Sequence, residues 1–293
     1  MNKRINKEIK IHRSRFDKYY KKLLKSNLPK DDLSKIMLYG TLNGGKRIRP
    51  FLISIFSQLA ALPNYKYYRI SAAVECIHSY SLIHDDLPCM DNDDFRRGKL
   101  SVHRKFGEAQ AILAGDSLHD IAFEFIANQK THNDPMIRIK LVYLLSSTLG
   151  AKGLAGGQYL DLKFENKKIN KNKILKMYNL KTAALFCFCC MAPFIMTKKN
   201  NKDLQFAKEY GNVFGIIFQI IDDYLDEFEN FKKIGKTPGK DRKQGKSTIL
   251  LHMKKKEVIP YCQSLANQFI KRNKKYFIKW NILEDLLVNI TQV

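Results

Sequence analysis

The chain has 293 residues, 45% of them apolar, with a formal net charge of +24. That length holds one large domain or two ordinary ones around a sizeable core, and no run of about 18 uncharged apolar residues occurs, so no membrane span is expected. The charge is compatible with nucleic acid, an anionic membrane surface or anionic substrates; but lysine, asparagine and isoleucine are all abundant, which reads as compositional drift, and the lysines form no stripe interleaved with aromatics as a nucleic-acid surface would.

Residues 1–25 are basic, carry Glu8 and Asp17, and lack both an apolar run and a small-residue cleavage site, so no signal peptide is expected. Glycine and proline are few, and apolar residues recur at spacings of three and four, which predicts helices throughout. Clean alternation and Asn-Gly or Asp-Gly hairpin signals are missing. A basic first helix is predicted over 5–27. Asp31-Asp32 can cap a second, ending near Gly44-Gly45, and a third runs from Lys46 to Ala61. Residues 68–86 are apolar on most sides, the mark of a helix at the centre of a bundle. Further helices are predicted over 109–129, over 136–164 with an interruption near Gly153, Gly156 and Gly157, and over 173–197. A polar, lysine-rich connection covers 163–173. A strongly amphipathic helix spans 203–229, a polar glycine-containing loop covers 234–247, and two helices, 248–272 and 275–290, follow. With no Pro/Ser-rich linker, the reading is one all-α domain over 1–293.

Six cysteines are present. Cys187 and Cys190 form a C-x-x-C, but in an apolar helical run and with no second pair at zinc spacing, so buried free thiols in a reducing cytoplasm are expected.

The chemistry concentrates where the central helix ends. His84–Gly98 holds five aspartates within ten residues, Asp85, Asp86, Asp91, Asp93 and Asp94, and then Arg96 and Arg97. Carboxylates that close repel one another unless cations lie between them, and arginines grip phosphate with paired hydrogen bonds. A second acidic cluster, Asp222, Asp223 and Asp226, sits in the amphipathic helix. Residues four apart differ by about 40° around a helix, so Asp222 and Asp226 share a face and can hold a hard cation. Asp85 and Asp91 differ by about 240° on a regular helix. Pro88 disfavours helical geometry at Leu87, and a break there is needed to bring Asp91 beside Asp85.

Cations complement both clusters. Gly44-Gly45-Lys46-Arg47-Ile48-Arg49-Pro50 places positive charge and open amides near a helix N-terminus. Lys181-Thr182, Lys236 and Gly245-Lys246-Ser247-Thr248 supply further donors. The last fails as a P-loop, because Lys240 stands where the first glycine is required and no strand precedes it. Any one of these lysines alone reads as solvated; together with the acidic clusters they point to metal-bridged diphosphate.

In that arrangement the sequence resembles the trans-isoprenyl diphosphate synthases, and among them the short-chain bacterial farnesyl diphosphate synthases. Matching blocks run in order through Gly44–Pro50, Glu75–Gly98, Phe106–Asp116, Gly156–Asp161, Lys181-Thr182, Phe218–Asp226 and Gly235–Thr248. The resemblance implies an all-α isoprenoid-synthase bundle of roughly ten or more helices around a central cavity, forming a homodimer. It implies that Asp85, Asp86 and Asp91 form the first aspartate-rich motif and Asp222, Asp223 and Asp226 the second; these six are the catalytic candidates. Asp85, Asp91 and Asp222 are the metal candidates, for about three Mg²⁺ bridging an allylic diphosphate. Arg96, Lys181, Thr182, Gln219 and Lys236 match positions that hold that diphosphate. Lys46, Arg49, His78 and Arg97 match those that hold isopentenyl diphosphate, although a lone histidine such as His78 is ordinarily a core residue. Gln158 and Asp161 match a cavity-lining Gly-Gly-Gln-x-x-Asp element.

The implied reaction is ionisation of dimethylallyl diphosphate and then geranyl diphosphate, attack by isopentenyl diphosphate on the carbocation, and loss of a proton, giving farnesyl diphosphate. No nucleophilic side chain is required. Tyr80, about 7.5 Å below Asp85 along a helix, would stop the growing chain at the farnesyl length, with Ser81 beside it offering no further block. The text from Leu87 to Gly98 also resembles geranylgeranyl diphosphate synthases, and a non-catalytic regulatory subunit is a further alternative. The expected location is cytoplasmic, with neither nucleic acid nor a membrane span involved. Residues 288–293 depart from the Arg- or Lys-ended tail common in the family.

Overall fold

The computed structural model describes residues 3–228 and 245–292. The chain is all-α. It divides into two compact units, Ile9–Val142 and a second made of Met1–Glu8 with Tyr143–Val293.

In Ile9–Val142 the helices are α1 (Lys3–Asn27, which begins in the other unit), α2 (Asp32–Leu42), α3 (Ile48–Leu59), α4 (Asn64–Asp85), α5 (Val102–Phe106) and α6 (Glu108–Ala127). Helix α7 (Pro135–Leu149) crosses the boundary. Asp31 caps α2, its side chain accepting from the Ser34 amide at 2.8 Å. Helix α4 is the centre of this unit and contacts α3, α6 and α2. Ile70, Ala72, Ala73, Val74, Cys76 and Ile77 are all fully buried, which is why its sequence is apolar nearly all the way round.

One element was not expected from the sequence. Phe95–Arg96 (β1) pairs antiparallel with Lys99–Leu100 (β2), joined by Arg97 and Gly98, both at positive φ. Two central residues at positive φ make the hairpin turn whose twist suits antiparallel strands. Strands of two residues are too short to show alternation, and arginine stands where asparagine or aspartate would have signalled the turn.

The second unit contains α8 (Leu154–Phe164), α9 (Lys171–Tyr178), a π-helical turn (Asn179–Ala183), α10 (Ala184–Met196), α11 (Asn201–Phe228), a 3₁₀ turn (Ile249–His252), α12 (Lys255–Arg272), α13 (Lys274–Lys279) and α14 (Asn281–Ile290). The predicted helix over 136–164 is therefore two, α7 and α8, divided at Gly150–Gly153. The final stretch is three helices rather than two. Helix α11 runs through the middle, against α10, α12 and α14. Phe206, Tyr210, Phe214 and Ile217 form its buried stripe, each fully buried apolar side chain contributing about 1.5–3 kcal/mol. The Tyr210 hydroxyl donates to the Leu283 carbonyl at 2.9 Å, tying α11 to α14. Residues Lys171–Met196 are long and apolar enough by composition to cross a membrane, but most of that stretch is buried within the protein. Of the C-x-x-C pair in it, Cys190 is buried as expected and Cys187 is half-buried, and both are free thiols.

Candidate active site

In Ile9–Val142, Asp85 is the last residue of α4, and the chain then doubles back. The Leu87 amide reaches the His84 carbonyl, the Met90 and Asn92 amides both reach Leu87, and the Asp91 amide donates to the Asp85 carbonyl at 2.8 Å. Pro88 cannot donate and sits at the outside of this turn, while Asn92 adopts a φ of 48°. The break predicted after Leu87 is present, and it sets the backbones of Asp85 and Asp91 side by side.

Asp86 points elsewhere. It is 2% exposed and accepts from Arg96, from Nε at 3.0 Å and also from Nη2. Arg96 Nη2 lies 3.2 Å from Asp93 as well. Burial pushes Asp86 up to about 6, against the pull of Arg96. Burial alone would lower Arg96, but the Asp86 and Asp93 carboxylates outweigh it, so the guanidinium stays charged. Within this structure Asp86 and Arg96 thus satisfy each other.

Lys46, Arg49, Arg97 and His78 gather around the start of α3. Arg97 Nη1 donates to the Gly44 carbonyl at 2.8 Å. Its guanidinium lies so close over Gly45 that a Cβ there would stand 2.8 Å from Cζ, and Gly45 has a φ of +109°. No other residue satisfies both conditions. Lys46 is exposed and Arg49 half-buried. Burial, and then the charges of Arg49, Arg97, Arg47 and Arg96, hold His78 well below the usual histidine range, so it is neutral at pH 7. A neutral imidazole among guanidiniums leaves a net positive corner that suits a diphosphate.

Arg47, between Lys46 and Arg49, turns inward. Its backbone is left-handed, φ 53° and ψ 39°, a conformation that costs about 1–2 kcal/mol outside glycine. Below the acidic corner, Tyr80 meets His84 edge-on at 4.9 Å and His119 of α6 at 5.3 Å, between ring centroids. Ser81 is turned back onto its own helix, its hydroxyl donating to the His78 carbonyl at 3.0 Å.

In the second unit, α8 carries Gly156-Gly157-Gln158 and Asp161. A Cβ on Gly157 would fall 2.2 Å from the Lys181 amide nitrogen, so only glycine allows α8 this near the π turn. That turn carries Lys181 and Thr182; π-helical turns inside helices recur at functional sites. Lys181 Nζ and Lys246 Nζ both donate to Asp161 Oδ2, at 2.6 and 3.0 Å. Burial would raise Asp161, yet the two lysines hold it down at about 2. Lys246 is set in place by its neighbours: the Ser247 hydroxyl bonds the Phe164 carbonyl, and the Asn166 amide donates to the Gly245 carbonyl.

A chain of hydrogen bonds then reaches the second acidic cluster. Thr182 Oγ1 donates to Gln219 Oε1 at 2.5 Å, and Gln219 Nε2 to Asp223 Oδ1 at 2.8 Å. The other Asp223 oxygen accepts from the Tyr178 hydroxyl, which itself accepts from the Ile249 amide at 2.8 Å. Asp223 is thereby buried and engaged, Asp226 is 1% exposed, and Asp222 is half-buried. Lys236 lies outside the described residues. Lys246 was read from the sequence only as one donor of its Gly-Lys-Ser-Thr run, without a partner, and Tyr178 was not among the sequence candidates. Tyr178 had only its place three residues before Lys181.

Among the described residues no three metal-ligating side chains converge on one point. The first cluster sets Asp85 and Asp91 side by side at the backbone, and the second spaces Asp222 and Asp226 one helical turn apart. That donor set fits Mg²⁺, which takes one or two carboxylates and completes its shell with water and phosphate oxygens.

The comparisons with known proteins agree with this chemistry. The polyprenyl synthetase model matches residues 30–279. The farnesyl diphosphate synthase of Bacillus subtilis (strain 168) is 40% identical over 219 residues, 74% of each chain. An FPP/GFPP synthase from Zymomonas mobilis, solved in an apo structure, matches with a TM-score of 0.82 and 33% identity over 98% of both chains. The geranyltransferase from Helicobacter pylori, complexed with magnesium and isoprenyl diphosphate, matches with a TM-score of 0.84 and 28% identity over 97% of this chain and 95% of that one. Two acidic clusters and anchored cations on an all-α frame, and a match running through most of the sequence, lead to one conclusion: the chain belongs to the polyprenyl synthetase family.

Proposed function

We propose that the protein condenses isopentenyl diphosphate with dimethylallyl diphosphate, and then with geranyl diphosphate, to make farnesyl diphosphate. The observation that carries this reading is the pair of acidic clusters, each backed by cations held in fixed positions, in a chain 40% identical to a farnesyl diphosphate synthase. Residues 1–293 act as one catalytic domain, in the cytoplasm and as a homodimer.

Asp85 and Asp91 of the first motif and Asp222 of the second would hold Mg²⁺, about three ions per site, whose charge stabilises the departing diphosphate. Lys181, Thr182 and Gln219 bind and orient the allylic diphosphate, with Lys236 and Arg96 as further candidates. Lys46, Arg49 and Arg97 bind isopentenyl diphosphate, with neutral His78 as a hydrogen-bonding group. The allylic carbon–oxygen bond breaks and its electrons leave with diphosphate. The isopentenyl double bond attacks the resulting carbocation, and a carbon–carbon bond forms. A proton then leaves the adjacent carbon and passes to the released diphosphate. The protein supplies orientation and fixed charge and no nucleophile. Tyr80, backed by His119, sets the farnesyl limit.

Product analysis tests this directly. Purified protein with Mg²⁺, labelled isopentenyl diphosphate and each allylic starter in turn should yield farnesyl diphosphate. A geranylgeranyl product would reassign the chain length, and no condensation with any starter would replace the enzyme with a regulatory subunit.

A further inference from the structure

Of the three cations in Gly44–Pro50, Arg47 has no place in the diphosphate site described above. Its side chain is 1% exposed and bonded to partners on three helices. Nε donates to Asp17 of α1 at 2.8 Å, Nη1 to Glu75 of α4, and Nη2 to the Thr41 carbonyl of α2 at 2.9 Å. The same residue is the N-cap of α3, with the Phe51 amide donating to its carbonyl at 3.0 Å. The ring of Tyr20 lies 5.7 Å from the guanidinium carbon. One left-handed residue therefore fixes the direction in which Lys46 leaves the loop and Arg49 leaves the helix.

Glu75 is the buried counter-charge. It is 2% exposed, lies three residues before His78 on the same helix, and attracts Arg97 as well as Arg47. Arg97 in turn holds the Gly44 carbonyl, two residues before Lys46. Glu75 thus bears on both ends of the Gly44–Arg49 turn. All these groups lie in Ile9–Val142, whereas Lys181, Thr182 and Gln219 lie in the other unit.

We propose that the buried Arg47–Glu75 ion pair, steadied by Asp17, is a positioning element that sets affinity for isopentenyl diphosphate by orienting Lys46 and Arg49, without itself touching substrate. The inference rests on the assignment of Lys46 and Arg49 to that substrate. A mutual pair can be replaced by neutral groups with little loss of stability, whereas removal of one partner leaves a buried charge. The discriminating variants are therefore the double Arg47→Gln/Glu75→Gln and the mild Asp17→Asn, alongside Glu75→Gln. The double variant should raise KM for isopentenyl diphosphate about tenfold or more, while kcat and KM for geranyl diphosphate stay within about threefold. Asp17→Asn should shift the same KM in the same direction by a smaller factor, and its folding is not at issue because Asp17 is partly exposed. Melting curves run beside the kinetics register any general loosening. The proposal is overturned if Lys46→Ala raises KM for isopentenyl diphosphate but the double variant and Asp17→Asn leave it unchanged, or if kcat and both KM values change together. If Lys46→Ala and Arg49→Ala leave that KM unchanged, the substrate assignment itself fails, and the positioning role with it.

Discussion

The amide of Asp91 donates to the carbonyl of Asp85 across a six-residue span, at 2.8 Å. The pairing is made by backbone, not side chains, so it survives substitution of either carboxylate. Asp85→Ala, and on the other motif Asp222→Ala, should therefore lower condensation by about a hundredfold or more, the scale of losing a preorganised electrostatic group, while far-UV circular dichroism and melting stay as in the parent. Undiminished turnover in either purified variant would remove these residues from the metal site.

Among the described residues no three metal-ligating side chains meet, so the cation and the diphosphate complete each other's shells. Thermal stability should then respond to the combination. Mg²⁺ with inorganic diphosphate at about a hundred times its Kd should stabilise the fold by about 2.7 kcal/mol, whereas either alone should do much less. Differential scanning calorimetry with the four combinations of Mg²⁺ and diphosphate measures this, and a full shift with Mg²⁺ alone would mean that the protein by itself forms a complete cation site.

Both aspartate motifs were legible in the sequence because charged residues stand out against apolar helices, and Pro88 announced the turn that brings Asp91 back. The same contrast was present for Glu75, an acid in an otherwise apolar helix, but its partner Arg47 lies 28 positions away and only folding joins them. Asp86 reads as an aspartate of the first motif and Arg96 as a diphosphate-binding group; their pairing with each other depends on the two-residue hairpin, which has no periodic signature. Tyr178 carries no local signal at all, since its role depends on Asp223, 45 positions on.

Tyr80 lies one helical turn below His84 and packs edge-on against both it and His119. Two rings brace the tyrosine and hold its ring in place. Tyr80→Ala should open the space and shift the product toward longer chains, read by chromatography of labelled, dephosphorylated products. His119→Ala should do so less, because it leaves Tyr80 in place while withdrawing its support. An unchanged farnesyl product from Tyr80→Ala would exclude it as the floor.

The Tyr178 hydroxyl serves two buried groups at once, donating to Asp223 and accepting from the Ile249 amide. Tyr178→Phe keeps the ring, removes the partner of the Ile249 amide and takes one bond from Asp223. The expected loss of stability is about 1–3 kcal/mol, the cost of leaving buried polar groups unsatisfied. Asp223 also loses the Tyr178 bond that links it toward the 3₁₀ turn while keeping the one from Gln219, so KM for the allylic diphosphate should rise through the Thr182–Gln219 chain. Urea unfolding and steady-state kinetics on the same preparation test both effects; a variant as stable as the parent would show that water replaces the hydroxyl.

His12 of α1 sits among the rings of Phe16, Phe51, Tyr67 and Tyr68, and neither of its nitrogens has a hydrogen-bond partner. Burial, helped by the Arg15 charge and opposed by Asp17, pulls its pKa down to about 4 from the ordinary 6.5. A base whose pKa is depressed on folding binds its proton more readily when unfolded. Stability contributed by neutral His12 is therefore complete above the ordinary value and is lost as pH falls from about 6.5 toward 4, to a limit of roughly 3 kcal/mol. His12→Phe keeps an aromatic ring in the cage and removes the titration. Urea midpoints of parent and variant, taken between pH 7 and pH 4.5, should diverge steadily as the pH falls, the variant becoming the more stable. Parallel curves would mean that the ring takes up its proton without leaving the folded cage.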